Sequence, residues 1–232
     1  MHANTKGSIE DLIVATKILV NEQIIDGFGH ISVRDPNRPD RYFMTRDNLG
    51  GTDEEDYIVE LDSDSNPCKS NESKPSLERF IHGEIYRARP DVNAVVHTHS
   101  PALIPFGISK TPLQALYHMC GFLAAGVPVF DIQHQHGMTN MLIQSSELGR
   151  SLASSLGKSA LVLMRGHGAT IVGSSVKEVV FRAVYVTINA HLQPIAMQLG
   201  EPKFLDYEEA VKTDELHHAV LNRPWDFWKS RL

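Results

Sequence analysis

Apolar and polar positions along this chain recur with two different periods. Between residues 8 and 22, Leu12, Ile13, Ala15, Thr16, Leu19 and Val20 fall on one stripe, the pattern of an amphipathic helix. Ser8 stands where an N-cap belongs, and Glu10 and Asp11 suit the positive end of the helix dipole. Gly27 and Gly29 break the pattern, and residues 30–34, 41–45 and 57–61 then read as short strands. Two prolines mark 35–40 as a turn, and 62–75 is polar and loop-like. Ser76 is placed to cap a second helix over 77–89, stopped by Pro90.

The interleaving continues to the end. Residues 93–98 form a β-branched apolar run, the mark of a buried strand. A helix is predicted over 113–125 with Gly126 as its stop, then a strand over 127–132. Another helix spans 145–156, closed by Gly157, followed by a strand over 160–164. Residues 165–168 read as a turn, from which 169–172 can pair back as a hairpin. The longest predicted helix covers 176–199, and the tail from 213 is partly helical, with Trp225, Phe227 and Trp228. Helices and strands mixed around one sheet define an α/β or α+β class. No internal repeat divides the 232 residues, and one domain over 1–232 is expected.

Composition narrows the function. With 42% hydrophobic and 22% charged residues the chain is not a disordered one. Lys and Arg number 22 against 28 Asp and Glu, and the net charge of −6 gives no reason to expect nucleic acid as a partner. No apolar run approaches the ~18 residues of a membrane span. Glu10 and Asp11 precede any long apolar stretch, so no signal peptide is expected. Two cysteines exclude a disulfide scaffold and fit a reducing compartment, which makes the cytoplasm the expected location. The distinctive figure is 12 histidines, since imidazole is both a common metal ligand and the acid–base group of neutral pH.

Three of the twelve converge on one chemistry. His97 and His99 lie at i and i+2 at a strand end, so both point to one face and can share a metal ion. The plainer reading is two polar residues at an exposed strand end. His167 sits between Gly166 and Gly168 just after a buried strand, where glycines allow close backbone approach and φ above zero. It is otherwise a passenger in a glycine-rich turn. Together the three can form a facial nitrogen set with open positions for water or substrate. Glu78, in the first turn of the second helix, is by itself a dipole-favoured carboxylate; beside a metal it completes coordination or moves protons. His82, four residues on, reads as structural. His134 and His136 suit a pocket rim, His217 and His218 the surface or an interface, and His191 packing or solvent.

Four motifs then stand in order: Gly29-His-Ile-Ser-Val-Arg34, Pro75-Ser-Leu-Glu78, Val95-Val-His-Thr-His99 and Arg165-Gly-His-Gly168. In these the sequence resembles the class II aldolase/adducin family over most of its length. The resemblance implies a three-layer α/β/α fold around a mostly antiparallel sheet, and a homotetramer with active sites at subunit interfaces. It implies one divalent metal per chain on His97, His99 and His167, with Glu78 as catalytic acid/base. It also implies a proton donor from a neighbouring subunit at His118, or at Tyr117 if the register shifts by one. Where the sugar-phosphate aldolases of the family hold phosphate, this chain has Gly27 for threonine, His30 for asparagine and Leu77 for a serine. Phosphate needs several convergent donors, so a phosphorylated substrate is disfavoured.

The Gly-His-Ile-Ser-Val-Arg variant, the Leu-Met-Arg-Gly-His-Gly stretch and the Trp-Asp-Phe-Trp tail are similar to the branch that decarboxylates hydroxylated aromatic acids. That branch implies a divalent metal, with manganese favoured, while zinc, iron and cobalt also suit histidine nitrogen. The expected activity is decarboxylation of an ortho-hydroxylated phthalate- or pyridine-type acid. The alternatives are an aldolase acting on a sugar phosphate or hydroxy-keto acid, and a non-catalytic adducin-like module, which the full ligand set argues against. His30, Arg46 and Ser76 are the candidate substrate contacts, with Arg46 alternatively a solvated loop charge. Phe28, Leu77 and the tail aromatics can supply apolar walls, or the tail can simply pack.

Overall fold

The computed structural model describes residues 3–46, 58–69 and 75–232. Among these, seven strands form one sheet: β1 (His30–Arg34), β2 (Arg41–Thr45), β3 (Ile58–Asp62), β4 (Ala94–Thr98), β5 (Val129–Phe130), β6 (Leu161–Met164) and β7 (Gly168–Gly173). Their order is β3-β2-β1-β4-β7-β6-β5, antiparallel throughout except for the parallel β5–β6 pair. Tyr57, the first residue of the predicted third strand, lies outside the described residues.

Period-2 alternation divides the sheet into two buried faces. Along β4, Ala94 and Val96 enter one apolar cluster and Val95 enters the other. The first face is covered by α1 (Ala3–Asn21), α6 (Val176–Leu199) and α8 (Asn222–Lys229), the second by α2 (Arg79–Ala88) and α5 (Ser146–Leu156). These are the three α/β/α layers the motifs implied. His97 follows Val95 onto the second face, so it points beneath the start of α2. The sheet thus aims its histidines at the helix that carries Glu78.

Several elements begin or end for tertiary reasons. Helix α1 starts at Ala3, and Ser8 is interior, its hydroxyl donating back to the Asn4 carbonyl at 3.1 Å. The extra turn is held by Thr5, whose hydroxyl donates to the buried carboxylate of Asp35 at 3.1 Å. Helix α2 starts at Arg79 with Glu78 as its N-cap residue, and Ser76 Oγ accepts the Glu78 N–H at 3.3 Å in the turn before it. The strand expected over 127–132 shortens to Val129–Phe130, because Asp131 caps the short helix α4 (Ile132–His136) by accepting the Gln133 N–H. Helix α3 (Ile104–Ile108) bridges β4 toward the segment that differs most.

That segment is the helix expected over 113–125. Only a 3₁₀ turn at His118–Leu123 forms, and residues 112–116 are irregular. Two buried amides of α6 take up their backbone groups. Asn189 accepts the Leu116 N–H at 2.9 Å and donates to the Gln114 carbonyl at 2.8 Å. Gln193 accepts the Gln114 N–H at 3.1 Å and donates to the Pro112 carbonyl at 2.8 Å. With those groups satisfied from outside, helical propensity has no advantage to express.

Helix α6 itself runs over the predicted residues, capped by Ser175, whose Oγ accepts the Glu178 N–H. The tail forms α7 (Tyr207–His218) and α8. Trp225 and Trp228 are buried with α1 and α6, Trp228 lying 6.0 Å from the Tyr185 ring. They are core residues and not walls of the site; Phe227 is exposed. His217, expected at the surface or an interface, is buried within the chain and packs 5.5 Å from the Phe181 ring. His218 is exposed, its Nδ1 3.2 Å from Glu178 Oε1. His191 is exposed on α6, and His136 on α4 bonds Ser151 Oγ at 2.8 Å.

The β6–β7 turn shows why His167 is bracketed by glycines. Gly166 adopts φ 64°, a left-handed conformation that side chains resist, and a Cβ on Gly168 would lie 2.1 Å from the Thr98 carbonyl oxygen. Gly168→Ala therefore forces β7 off β4. The expected cost is ~1–3 kcal/mol, read as a lower urea midpoint at unchanged m. Affinity for divalent metal should fall with it, because the displaced strands carry His99 and His167. A variant as stable as the parent contradicts this packing.

Candidate metal centre

Four residues from three separate stretches of chain meet at one end of the sheet. His97 is the penultimate residue of β4, His99 lies just past its end, His167 sits in the β6–β7 turn and Glu78 is the N-cap residue of α2. One ligand atom from each falls within 4.8 Å of all the others. The Nε2 atoms of His97 and His167 are each 3.1 Å from His99 Nε2. Glu78 Oε2 lies 3.4 Å from His167 Nε2 and 3.6 Å from His97 Nε2.

Backbone groups behind the histidines decide which nitrogens face inward. The Ala169 carbonyl accepts from His97 Nδ1 at 3.1 Å, and the Met141 carbonyl accepts from His167 Nδ1 at 3.1 Å. A carbonyl only accepts, so each Nδ1 carries the proton and each Nε2 is bare. The bare Nε2 atoms of His97 and His167 both face His99 Nε2 and the Glu78 carboxylate, and a shared cation would engage their lone pairs. Burial drives the His97 imidazole well below its ordinary pKa, with His99 lowered for the same reason. Neutral imidazole is the form that binds metal.

Glu78 is the anion of the set. Burial alone would raise its pKa. A proton on His167 Nε2 shared with the carboxylate, and positive charge on His97 and His167 when they are protonated, lower it to about 2, with the Ile143 N–H donating to Oε1 at 2.9 Å acting in the same direction. A carboxylate ionised at neutral pH beside three imidazole nitrogens is a set that fits a divalent metal.

The other candidate contacts are distributed unevenly. His30, at the start of β1, is buried, faces His97 across the β1–β4 ladder, and has its ring 5.1 Å away. Ser76 is also buried, and its hydroxyl serves the turn that presents Glu78. Arg46 is half-buried at the end of β2. Continuing the Ser32↔Met44 register by two residues sets its position opposite His30. Phe28 and Leu77 are both exposed at the site, with the Phe28 ring 6.2 Å from His99. His118 lies outside this cluster within the chain, stacked on His217 at 5.2 Å. Sequence reading missed the carbonyls of Met141 and Ala169 and the N–H of Ile143, which no side-chain pattern announces. It also left His82 as a bystander, although it bonds His30.

Residues 10–193 match the Class II Aldolase and Adducin N-terminal domain. The decarboxylase tropJ of Talaromyces stipitatus is 34% identical over 244 aligned residues, covering 95% of this chain and 92% of its own. A 3,4-dihydroxyphthalate decarboxylase of Arthrobacter keyseri is 30% identical over 203 residues, 80% of this chain and 77% of its own. In solved structures, an aldolase II superfamily protein from Pseudomonas syringae shares the fold with a TM-score of 0.80 at 20% identity, covering 100% of this chain and 94% of that one. The chain belongs to the class II aldolase and adducin family and is a carbon–carbon lyase.

Proposed function

We propose that this protein is a metal-dependent decarboxylase of an ortho-hydroxylated aromatic carboxylic acid, phthalate- or pyridine-type. The observation that carries this reading is what stands beside Glu78. Leu77, the residue before it, is an exposed apolar side chain where a phosphate-holding site would carry a hydroxyl, and His30 is neutral, its pKa driven down chiefly by burial. A phosphate dianion needs several converging donors, whereas a planar ring needs apolar walls and one or two anchors for its carboxylates. The names of the two decarboxylase relatives point the same way.

The proposed roles follow. His97, His99 and His167 hold one divalent ion per chain, manganese by preference, with zinc, iron or cobalt as alternatives. When bound, that cation supplies a sink for the electrons left by departing CO2. Arg46, with its planar fork of donors, anchors a carboxylate, with His30 and Ser76 as further substrate contacts. Phe28 and Leu77 flank the ring and exclude water. Glu78, ionised at neutral pH, accepts the proton of the ring hydroxyl at Oε2. His118 of a neighbouring subunit, or Tyr117 beside it, returns a proton to the ring carbon. This assignment carries with it a single domain over 1–232, a homotetramer with shared sites, and a cytoplasmic setting.

The test offers the manganese-loaded protein dihydroxyphthalates, hydroxypyridine dicarboxylates and dihydroxybenzoates, and follows CO2. Release is expected from acids whose leaving carboxylate adjoins a ring hydroxyl; an analogue lacking that hydroxyl should bind without reacting. Sugar phosphates are offered in parallel. Aldol cleavage with no CO2 from any aromatic acid replaces this reading with an aldolase.

A further inference from the structure

Behind the candidate centre a row of polar side chains runs into the interior between β1 and α2. His30 Nδ1 lies 2.7 Å from His82 Nε2. His82 Nδ1 lies 2.6 Å from Ser32 Oγ, which is 2.6 Å from the Tyr86 hydroxyl. All four side chains are buried, His82 and Ser32 completely. The spacing is a product of two periods: His30 and Ser32 are i and i+2 on a strand, His82 and Tyr86 are i and i+4 on a helix.

We propose that Tyr86, Ser32 and His82 are positioning residues that fix the tautomer of His30, leaving its Nε2–H as a hydrogen-bond donor for an oxyanion of the substrate. The argument is a count of protons. Among the described residues the Tyr86 hydroxyl has Ser32 as its one partner. If it donates to Ser32, the serine must donate to His82 Nδ1. His82 then carries its proton on Nε2 and donates to His30 Nδ1, and the His30 proton is left on Nε2. Every contact receives one proton, and the spare donor lies at the pocket end. In the reverse direction the spare donor is the Tyr86 hydroxyl, sealed in the core with no acceptor. An orphaned buried donor costs roughly 1–3 kcal/mol, which biases the row about 5- to 150-fold toward the first direction.

The pocket end is consistent with this direction. His30 Nε2 makes no hydrogen bond to the described residues and is not among the buried unpartnered atoms. With Nδ1 accepting and Nε2 protonated, His30 has no lone pair to offer a metal, although its ring lies 5.1 Å from that of His97. It remains a neutral donor at the metal's side, suited to a carboxylate or phenolate oxygen. The inference rests on the reading of the centre as a site for a small hydroxylated acid, but the proton position does not.

The decisive measurement is therefore a neutron diffraction map of perdeuterated, zinc-loaded protein. It is expected to show deuterons on Nε2 of both His30 and His82, and none on Nδ1 of either. A deuteron on His30 Nδ1 overturns the proposal, whatever the protein catalyses. In Ser32→Ala the count no longer favours one direction, so the His30 deuteron should divide between its nitrogens. KM for an acid found to lose CO2 should then rise about twofold, in proportion to the competent fraction, with kcat held. If Ser32→Ala leaves both the map and KM as in the parent, the row does not set the tautomer. If no acid reacts while the map is as expected, the decarboxylase reading fails and the tautomer assignment stands.

Discussion

Glu78→Gln lowers turnover by roughly 100- to 10,000-fold while the protein melts within a few degrees of the parent. The substitution keeps the side chain's size and leaves an amide oxygen for the Ile143 N–H, which the carboxylate accepts at 2.9 Å. What it removes is the negative charge 3.4 and 3.6 Å from His167 and His97. Glu78 is the N-cap residue of α2 but makes no side-chain capping bond, so the helix loses little. A role confined to the helix dipole is worth ~0.3–1 kcal/mol, which for a chain of this size is a Tm change of about 2–4 °C or less, with turnover intact. The two roles are therefore separated by orders of magnitude in rate. The assay pairs initial rates on any acid found to release CO2 with a thermal melt. Near-normal turnover with a lowered Tm assigns Glu78 to the fold. Because its carboxyl is held at about 2, the parent enzyme should keep the base form of Glu78 throughout the neutral range, and loss of activity toward moderately acid pH should come from other groups.

Removing one of the three histidines has the larger effect on metal. His167→Ala should bring divalent metal from one ion per chain to near zero after equilibration against metal-free buffer. Losing even an outer partner of a ligand typically costs 10–100-fold in affinity, and losing the ligand itself should exceed about 100-fold. His97→Ala should do the same, with an added loss of stability. Its ring is fully buried, and Nδ1 donates to the Ala169 carbonyl inside the β4–β7 ladder. His167 lies in a turn at the end of the β6–β7 hairpin and is only partly buried, so its alanine variant separates the metal effect from the packing effect better than His97→Ala does. His191→Ala, exposed on α6, is the control and should retain full stoichiometry. Metal is read by mass spectrometry of the purified protein and folding by circular dichroism. Full stoichiometry in His167→Ala removes it from the ligand set.

How much of this site was legible beforehand depends on the distance over which each signal acts. The i, i+2 spacing of His97 and His99, and the glycines around His167, are local facts about a strand and a turn. Local facts survive translation into structure because strand alternation and glycine stereochemistry do not depend on distant partners. Helix α6 runs over its predicted residues, and the structure shows Ser175 capping it from the adjacent position. The segment over 113–125 failed because what decides it lies more than seventy residues away, in the amides of Asn189 and Gln193. The tail tryptophans likewise carry no mark of whether they line a site or fill a core, and only the packing of α8 against α1 and α6 places them in the core.

Residue order thus dictated the strands, most helices, the chemical identity of the candidate ligands and the departures from phosphate-holding positions. Each of these is encoded in neighbours a few positions apart. The tertiary structure decided which protons the ligands carry, which carbonyls hold them, that Glu78 stays ionised although buried, and that His82 is tied to His30. These are consequences of burial and of contacts between stretches 26 to 72 residues apart, where the cost of an unpaired proton or an unscreened charge is set by what lies on the other side of the fold.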